Sequence, residues 1–228
     1  MPGPIQRLSE VAEEQWGLVT RQQAEHAGVP WPTLSRLTAN GLLERVARGI
    51  YRIRGSTPAD HLELRAAWLQ LDPGSPAWER LREDEAAVVS HTSAAALYGV
   101  GDLRSDVHEF TLPERRQTRR RDVRIHRGTV SGNDRVVIHG LPSTRAGRMI
   151  ADMLADHVDP VAVAQIVHEV LTQVHDTANS VAGHLAPHSR RFGLRADDGV
   201  GILDHMLRLA GSRERERLVS EAMARRDD

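Results

Sequence analysis

Thirty of the 228 residues are arginine and none is lysine. Two clusters of those arginines have the spacing to do chemistry. The first is Arg45, Arg48, Arg52 and Arg54. The second, residues 115–127, holds seven arginines in thirteen positions, with Arg115, Arg116, Arg119, Arg120 and Arg121 at its head. A guanidinium is a planar fork of donors that grips phosphate oxygens, or the O6/N7 edge of guanine, bidentately. The missing lysine removes the phosphate-loop, Schiff-base and kinase lysines and the usual lysine of restriction-type nucleases. A GC-rich genome, which favours arginine codons, accounts for most of the bias.

Charge is segregated along the chain although the net value is −1. Residues 1–57 carry +2, 58–114 carry −7, 115–148 carry +8, 149–189 carry −5 and 190–228 carry +1. A phosphate meets the local potential, screened within about 10 Å, and not the whole-chain sum. The balance therefore leaves nucleic acid open as a partner. With no cysteine, disulfides, thiolate catalysis and zinc–cysteine sites are excluded, and a cytoplasmic location is expected. No apolar run approaches the about 20 residues of a membrane helix, and no secretory signal opens the chain.

The elements that must position the first cluster are legible in the residue pattern. Ile5, Leu8, Val11 and Ala12 share one helical face. Leu18-Val19 is a short extended piece, Thr20 caps a helix over 21–27, and Gly28 turns the chain. Leu34 and Leu37 mark the buried side of a helix from about 31 to 40. Strands over 42–46 and 50–53 follow, joined through Ala47-Arg48-Gly49. Helix, strand, helix, tight turn, helix and hairpin is the order of a winged helix-turn-helix. A helix over 59–71 comes next, then strands at 86–89, 107–112, 123–126 and 135–139. Helices over 91–98, 144–155, 160–174, 201–209 and 213–226 complete the chain, with Ser90 and Ser143 as expected N-caps. The fold class is α+β: a winged helix-turn-helix over 1–57, then a mixed α/β domain over 58–228 that ends in a helical bundle.

In such a motif the second helix enters the major groove, N-terminal half toward the bases. With Leu34 and Leu37 inward, Trp31, Thr33, Ser35, Arg36 and Asn40 are left outside. Arg36 suits guanine and Asn40 adenine; Thr33 and Ser35 suit phosphate or water-mediated contacts. Thr20 and Arg21 start the preceding helix. Of the wing arginines Arg45, Arg48, Arg52 and Arg54, chiefly Arg48 and Arg52 are expected on the backbone or in the minor groove.

Residues 17–24 (Gly-Leu-Val-Thr-Arg-Gln-Gln-Ala), Gly28-Val29, Thr33-Leu34, Arg36-Leu37 and residues 41–52 resemble the N-terminal winged helix of AbiEi-type antitoxins. Residues 89–99, 123–127 and 140–144 are similar to that family's second domain, so the resemblance spans roughly residues 5–155. It implies a repressor of its own operon, partnered with a nucleotidyltransferase-like toxin. Pro30 and Trp31 depart from the family's pattern of a small capping residue followed by a basic one.

Other residues invite chemistry less strongly. The run at 115–127 reads as a second phosphate-tracking patch, a dock for an acidic partner, or a solvated loop. Residues 149–189 read as a toxin-facing acidic surface or as ordinary acidic helices on the core. His168, His175, His184 and His188 lack a carboxylate at ligand spacing, so surface or capping roles are expected and no metal. Ser90-His91-Thr92-Ser93 reads as a helix cap and not as a nucleophile with its base. No catalytic residue and no cofactor is expected. The expected partners are double-stranded operator DNA and a toxin protein. The alternative is an effector-sensing winged-helix regulator with a small-molecule pocket in its C-terminal domain.

Overall fold

The computed structural model describes residues 2–57, 59–83, 85–104 and 106–224. The chain divides into two compact units, Met1–Ala87 and Val88–Asp228, and is mixed α+β as expected.

In the first unit, α1 (Pro4–Glu13), β1 (Leu18–Thr20), α2 (Arg21–His26), α3 (Trp31–Ala39), β2 (Leu43–Ala47) and β3 (Ile50–Ile53) form the winged helix. Its sheet runs β1-β3-β2, antiparallel throughout. Leu8, Val19, Ala24, Val29, Leu34, Leu37, Leu43 and Tyr51 make its core. Each of the three helices contributes through one face, as the periodicity requires. The wing turns at Gly49, whose φ of +76° is the left-handed conformation that a hairpin loop demands and a side chain resists.

The first unit runs through Ala87, so the division expected at residue 57 falls inside it. Its α4 (Leu62–Leu71) packs against all three strands of the small sheet, and Trp68 on this helix is fully buried. The short α5 (Ala77–Arg80) follows. A winged helix of some fifty residues buries too little apolar surface to be robust by itself, and α4 supplies the missing layer.

A buried pair of amides ties these parts together. Gln15 Nε2 donates to Leu18 O at 2.8 Å and to Gln23 Oε1 at 2.6 Å. Gln23 Oε1 also accepts from Thr20 N at 3.0 Å, and Gln23 Nε2 donates to Ser75 O at 2.9 Å. Ala77 N donates to Gln15 Oε1 at 3.2 Å. Thr20 and Gln23 close a reciprocal capping box at the start of α2.

The second unit is built on a five-stranded sheet of order β6-β5-β4-β8-β7. The strands are β4 (Val88–Val89), β5 (His108–Leu112), β6 (Val123–Arg127), β7 (Arg135–Ile138) and β8 (Leu141–Thr144). β5 pairs parallel with β6, and β4 parallel with β8; the other pairs are antiparallel. Between β4 and β5 lies α6 (His91–Tyr98). After β8 come α7 (Ala146–Ala155), α8 (Pro160–Thr172), α9 (Ala178–Leu185), α10 (Gly199–Leu209) and α11 (Arg215–Ala224). Their apolar stripes meet in a helical core that includes Met149, Met153, Val163, Ile166, Val167, Val181, Ile202 and Met206. A Cβ at Gly199 would lie 2.0 Å from Ala182 O, so glycine lets α10 start against α9.

Three details differ from the sequence reading. Ser143 lies within β8, and Arg145 occupies the N-cap of α7, because the strand extends into residues expected to start the helix. Ser90 does stand at the N-cap of α6 but makes no side-chain cap bond. The short α5 and the separate α9 were not anticipated.

Replacing Gln23 by alanine leaves Gln15, Thr20 N and Ser75 O without their buried partner. It is expected to lower unfolding free energy by about 1–3 kcal/mol, while Glu10→Ala, on the exposed side of α1, stays within about 0.5 kcal/mol; urea denaturation checks both. A fragment ending at residue 87 is expected to unfold cooperatively, and one ending at residue 57 to lose that cooperativity; thermal melts followed by circular dichroism compare them.

Candidate nucleic-acid interface

The outer face of α3 is open. Leu34 and Leu37 are buried at 0% and 8% exposure. Ser35, Arg36 and Asn40 are exposed and Thr33 is half-buried. Arg36 and Asn40 are one turn apart and therefore share a face. Asn40 is the helix C-cap and Pro30 its N-cap, which makes no side-chain hydrogen bond. Trp31 is 44% exposed at the first turn. The Arg21 guanidinium lies 5.1 Å from the Trp31 ring centroid and pairs with Glu25 at 2.8 Å. An exposed i,i+4 pair of this kind is worth about 0.3–0.5 kcal/mol, so it yields readily to a stronger anion.

The wing separates its arginines into two kinds. Arg45, Arg48 and Arg54 are exposed. Neither these three nor Arg36 forms a salt bridge among the described residues. Arg48 sits at the hairpin tip, and its carbonyl accepts from Gln70 Nε2 at 2.6 Å, which anchors the tip to α4. Arg52 is different. Glu44 stands opposite it in the β2–β3 register, and Arg52 Nη2 lies 2.8 Å from Glu44 Oε2 with only 22% of its side chain exposed. Arg52, expected with Arg48 as a chief wing contact, is thus partnered by a cross-strand carboxylate.

Thr20 is likewise partnered within the unit. It is fully buried; its hydroxyl accepts from Gln23 N and donates to Pro73 O. A hydroxyl with both roles filled inside the unit has nothing to offer a phosphate.

In the second unit the head of the arginine run forms the loop between the parallel strands β5 and β6, while Arg124 and Arg127 lie on β6. Arg115, Arg116, Arg119 and Arg121 are exposed and Arg120 is half-buried. Arg120 Nε donates to Asp122 Oδ1 at 2.9 Å, with a second contact from Nη2 to Oδ2. The Arg120 hydrogen bonds hold the Asp122 carboxyl at about 2. Arg120 is thus committed to its own loop, and the outward charge rests on the other four.

The acidic stretch 149–189 is largely occupied by intramolecular work. Asp152 pairs with Arg148 at 2.8 Å and Asp159 caps α8. Glu169 accepts from Gly101 N at 2.6 Å. Asp176 accepts from Gly147 N at 2.9 Å and from Thr177 N at 2.9 Å. Carboxylates already receiving backbone N–H groups make a poor docking surface for a basic partner, so the reading as helices packed on the core fits better. His184, expected to lack a carboxylate companion, lies 2.8 Å from Asp134 Oδ1. Fifty positions of chain separate the two, too far for local spacing to reveal.

Glu109 on β5 was missed by sequence reasoning. It is 4% exposed and performs the capping expected of Ser90. Its Oε2 accepts from Thr92 N at 3.0 Å and from the Thr92 hydroxyl, and its Oε1 faces His126 Nε2 at 3.2 Å. Burial alone would push this carboxyl up; the bonds from His126 and Thr92 outweigh it and hold it at about 2. Ser90 Oγ instead meets His91 Nδ1 at 2.9 Å and accepts from Thr111 Oγ1 at 2.9 Å. The only sequence signal for Glu109 was an acidic residue in an apolar strand, which pairing alone would explain.

No curated protein matches the chain. Among solved structures, the crystal structure of the RV2827C protein from Mycobacterium tuberculosis matches 97% of this chain and 82% of that one, with a TM-score of 0.53 and 15% identity. The two share a fold. No described helix is long and apolar enough to cross a membrane. With its helix-turn-helix order, open α3 and arginine-tipped wing, the segment 6–54 matches the model of the family described as "Transcriptional regulator, AbiEi antitoxin", the family that the sequence resembles.

Proposed function

We propose that this protein is a DNA-binding transcriptional regulator and the antitoxin of a toxin–antitoxin operon. In this reading it represses its own promoter and counters a nucleotidyltransferase-like toxin. It acts in the cytoplasm, by binding and not by catalysis. The observation that carries the DNA-binding part is the division of α3: Leu34 and Leu37 are locked in the core while Arg36 and Asn40 stand exposed on one face. The family match supports the regulatory and antitoxin parts.

The contacts divide by chemistry. Arg36 and Asn40 are the base readers, at guanine and adenine edges. Thr33 and Ser35 take phosphate or water-mediated contacts beside them. Arg48 at the wing tip, with Arg45 and Arg54, holds the backbone, and Arg21 exchanges Glu25 for a phosphate at the start of α2. Trp31 packs on the phosphate side. The four exposed arginines of the β5–β6 loop form a second cationic surface for phosphate or an acidic partner.

Affinity is expected to fall steeply between about 50 and 200 mM salt, because each arginine–phosphate contact releases condensed counterions. By fluorescence anisotropy, Arg48→Ala should weaken binding to all duplexes and lower the salt slope by about one. Arg36→Ala should cost about 1–3 kcal/mol on the operator and little elsewhere. If both variants bind like the wild type, the assigned roles are wrong. Thr20→Ala should lose about 0.5–2 kcal/mol of stability with its cap, yet keep wild-type DNA affinity below its melting temperature. For the antitoxin role, co-expression of the chain should restore growth to cells making the nucleotidyltransferase encoded beside it. Absence of such a neighbouring reading frame, together with thermal stabilisation by a metabolite, would favour the effector-sensing alternative.

A further inference from the structure

One cluster in the second unit lies outside the proposed DNA contacts. His91 is the first residue of α6, His126 lies on β6, and Asp156 is the C-cap of α7. Their ligand atoms all lie within 4.8 Å of one another. His126 Nδ1 is 3.5 Å and His91 Nε2 is 3.9 Å from Asp156 Oδ2. The side chains of His91 and His126 are 6% and 15% exposed, and that of Asp156 is 40% exposed, so the cluster has a dry floor and an open mouth.

The outer nitrogens of both rings are held. His126 Nε2 faces the buried Glu109 carboxyl at 3.2 Å. His91 Nδ1 lies 2.9 Å from Ser90 Oγ. The other two ring nitrogens, His126 Nδ1 and His91 Nε2, face the Asp156 carboxylate. With both of these nitrogens deprotonated, the three groups offer their lone pairs to a single cation. Asp152, one helical turn before Asp156 on α7, has a buried Oδ2 with no hydrogen-bond partner, while its Oδ1 pairs with Arg148. His91 also adopts a left-handed φ of +51°, a strained conformation for a side-chain-bearing residue that its surroundings must hold in place.

We propose that His91 Nε2, His126 Nδ1 and the Asp156 carboxylate bind one divalent transition-metal ion of the zinc class, with Glu109 as the residue that positions His126. Zinc–nitrogen and zinc–oxygen bonds of about 2.0–2.2 Å put tetrahedral ligands about 3.3–3.5 Å apart. The two distances to Asp156 are close to that edge. Imidazole nitrogen with a carboxylate selects zinc, cobalt or nickel over magnesium or calcium, which prefer all-oxygen shells. Glu109–His126 is the carboxylate–histidine pair that orients metal-bound imidazoles. The rings now lie stacked, with centroids 3.6 Å apart and planes at 14°. Both lone pairs point fully at one ion only if the rings splay, so loading should unstack them. Three protein ligands leave a fourth position for water or a substrate atom.

The test uses the full chain, freed of metal by a chelator and titrated with zinc chloride by calorimetry and with cobalt chloride by visible absorption. One saturable equivalent is expected, with a cobalt spectrum of low-coordinate type. Histidine ring-nitrogen resonances should shift at two residues, lost singly in His91→Ala and His126→Ala. Glu109→Gln should weaken the metal about 10- to 100-fold. His26→Ala, on exposed α2 of the first unit, should change nothing. Asp156→Asn keeps the size of an exposed side chain and preserves the fold by circular dichroism, so it decides the matter if the histidine variants misfold: it should weaken zinc at least about tenfold. Absence of a saturable equivalent overturns the proposal, as does uptake that folded Asp156→Asn leaves unchanged.

Discussion

The buried amides of Gln15 and Gln23 are the constraint on which the first unit rests. Two primary amides out of reach of water must fill their hydrogen bonds from the protein, and here they do so from several chain segments at once. The pair thereby fixes the exit of α1, the start of α2 and the course of residues 73–77 relative to one another. From α2 the chain passes through one tight turn to α3. Arg7 on α1 steadies that turn by donating to Ala27 O at 2.9 Å. The direction in which α3 presents its outer face is thus set by buried and half-buried polar groups.

Electrostatics sorts the arginines more sharply than their number implies. Guanidinium groups serve as structural donors in the interior, as with Arg80, which stacks 3.6 Å from the Trp68 ring centroid and donates to Trp68 O at 3.0 Å. They serve as local counter-ions, as with Arg52 on Glu44 and Arg120 on Asp122. Arg36, Arg45, Arg48 and Arg54 do neither and stay exposed on the helix and wing that a duplex would meet. A lysine-free chain uses one side chain for all three tasks, and the planar fork is what makes that economical.

The second unit turns several carboxylates inward in a comparable way. Glu109, Glu169 and Asp176 each receive backbone N–H groups from segments distant in sequence. A charge used like this joins those segments, and the gain depends on its being partly desolvated. Asp156 is directed instead at two stacked imidazoles.

How much of this was legible in the chain follows from the range of the interactions. The winged helix depends on local rules: the Thr20 cap, the Leu34/Leu37 stripe and the glycine of the hairpin turn each declare themselves within a few residues, and the structure carries them as read. The exposure of Arg36 and Asn40 follows from the same helical period. Tertiary structure alone decided that Glu44 quenches Arg52, that Pro73 and Ser75 occupy Thr20 and Gln23, and that α4 completes the first unit. It also decided that Glu109 displaces Ser90 as the cap of α6 and brings His91, His126 and Asp156 together. These depend on sheet register and on packing between segments many residues apart, and a single sequence carries no local signal for which distant partners will meet. Periodicity determines which face of an element is buried; only the folded chain determines what that face is buried against.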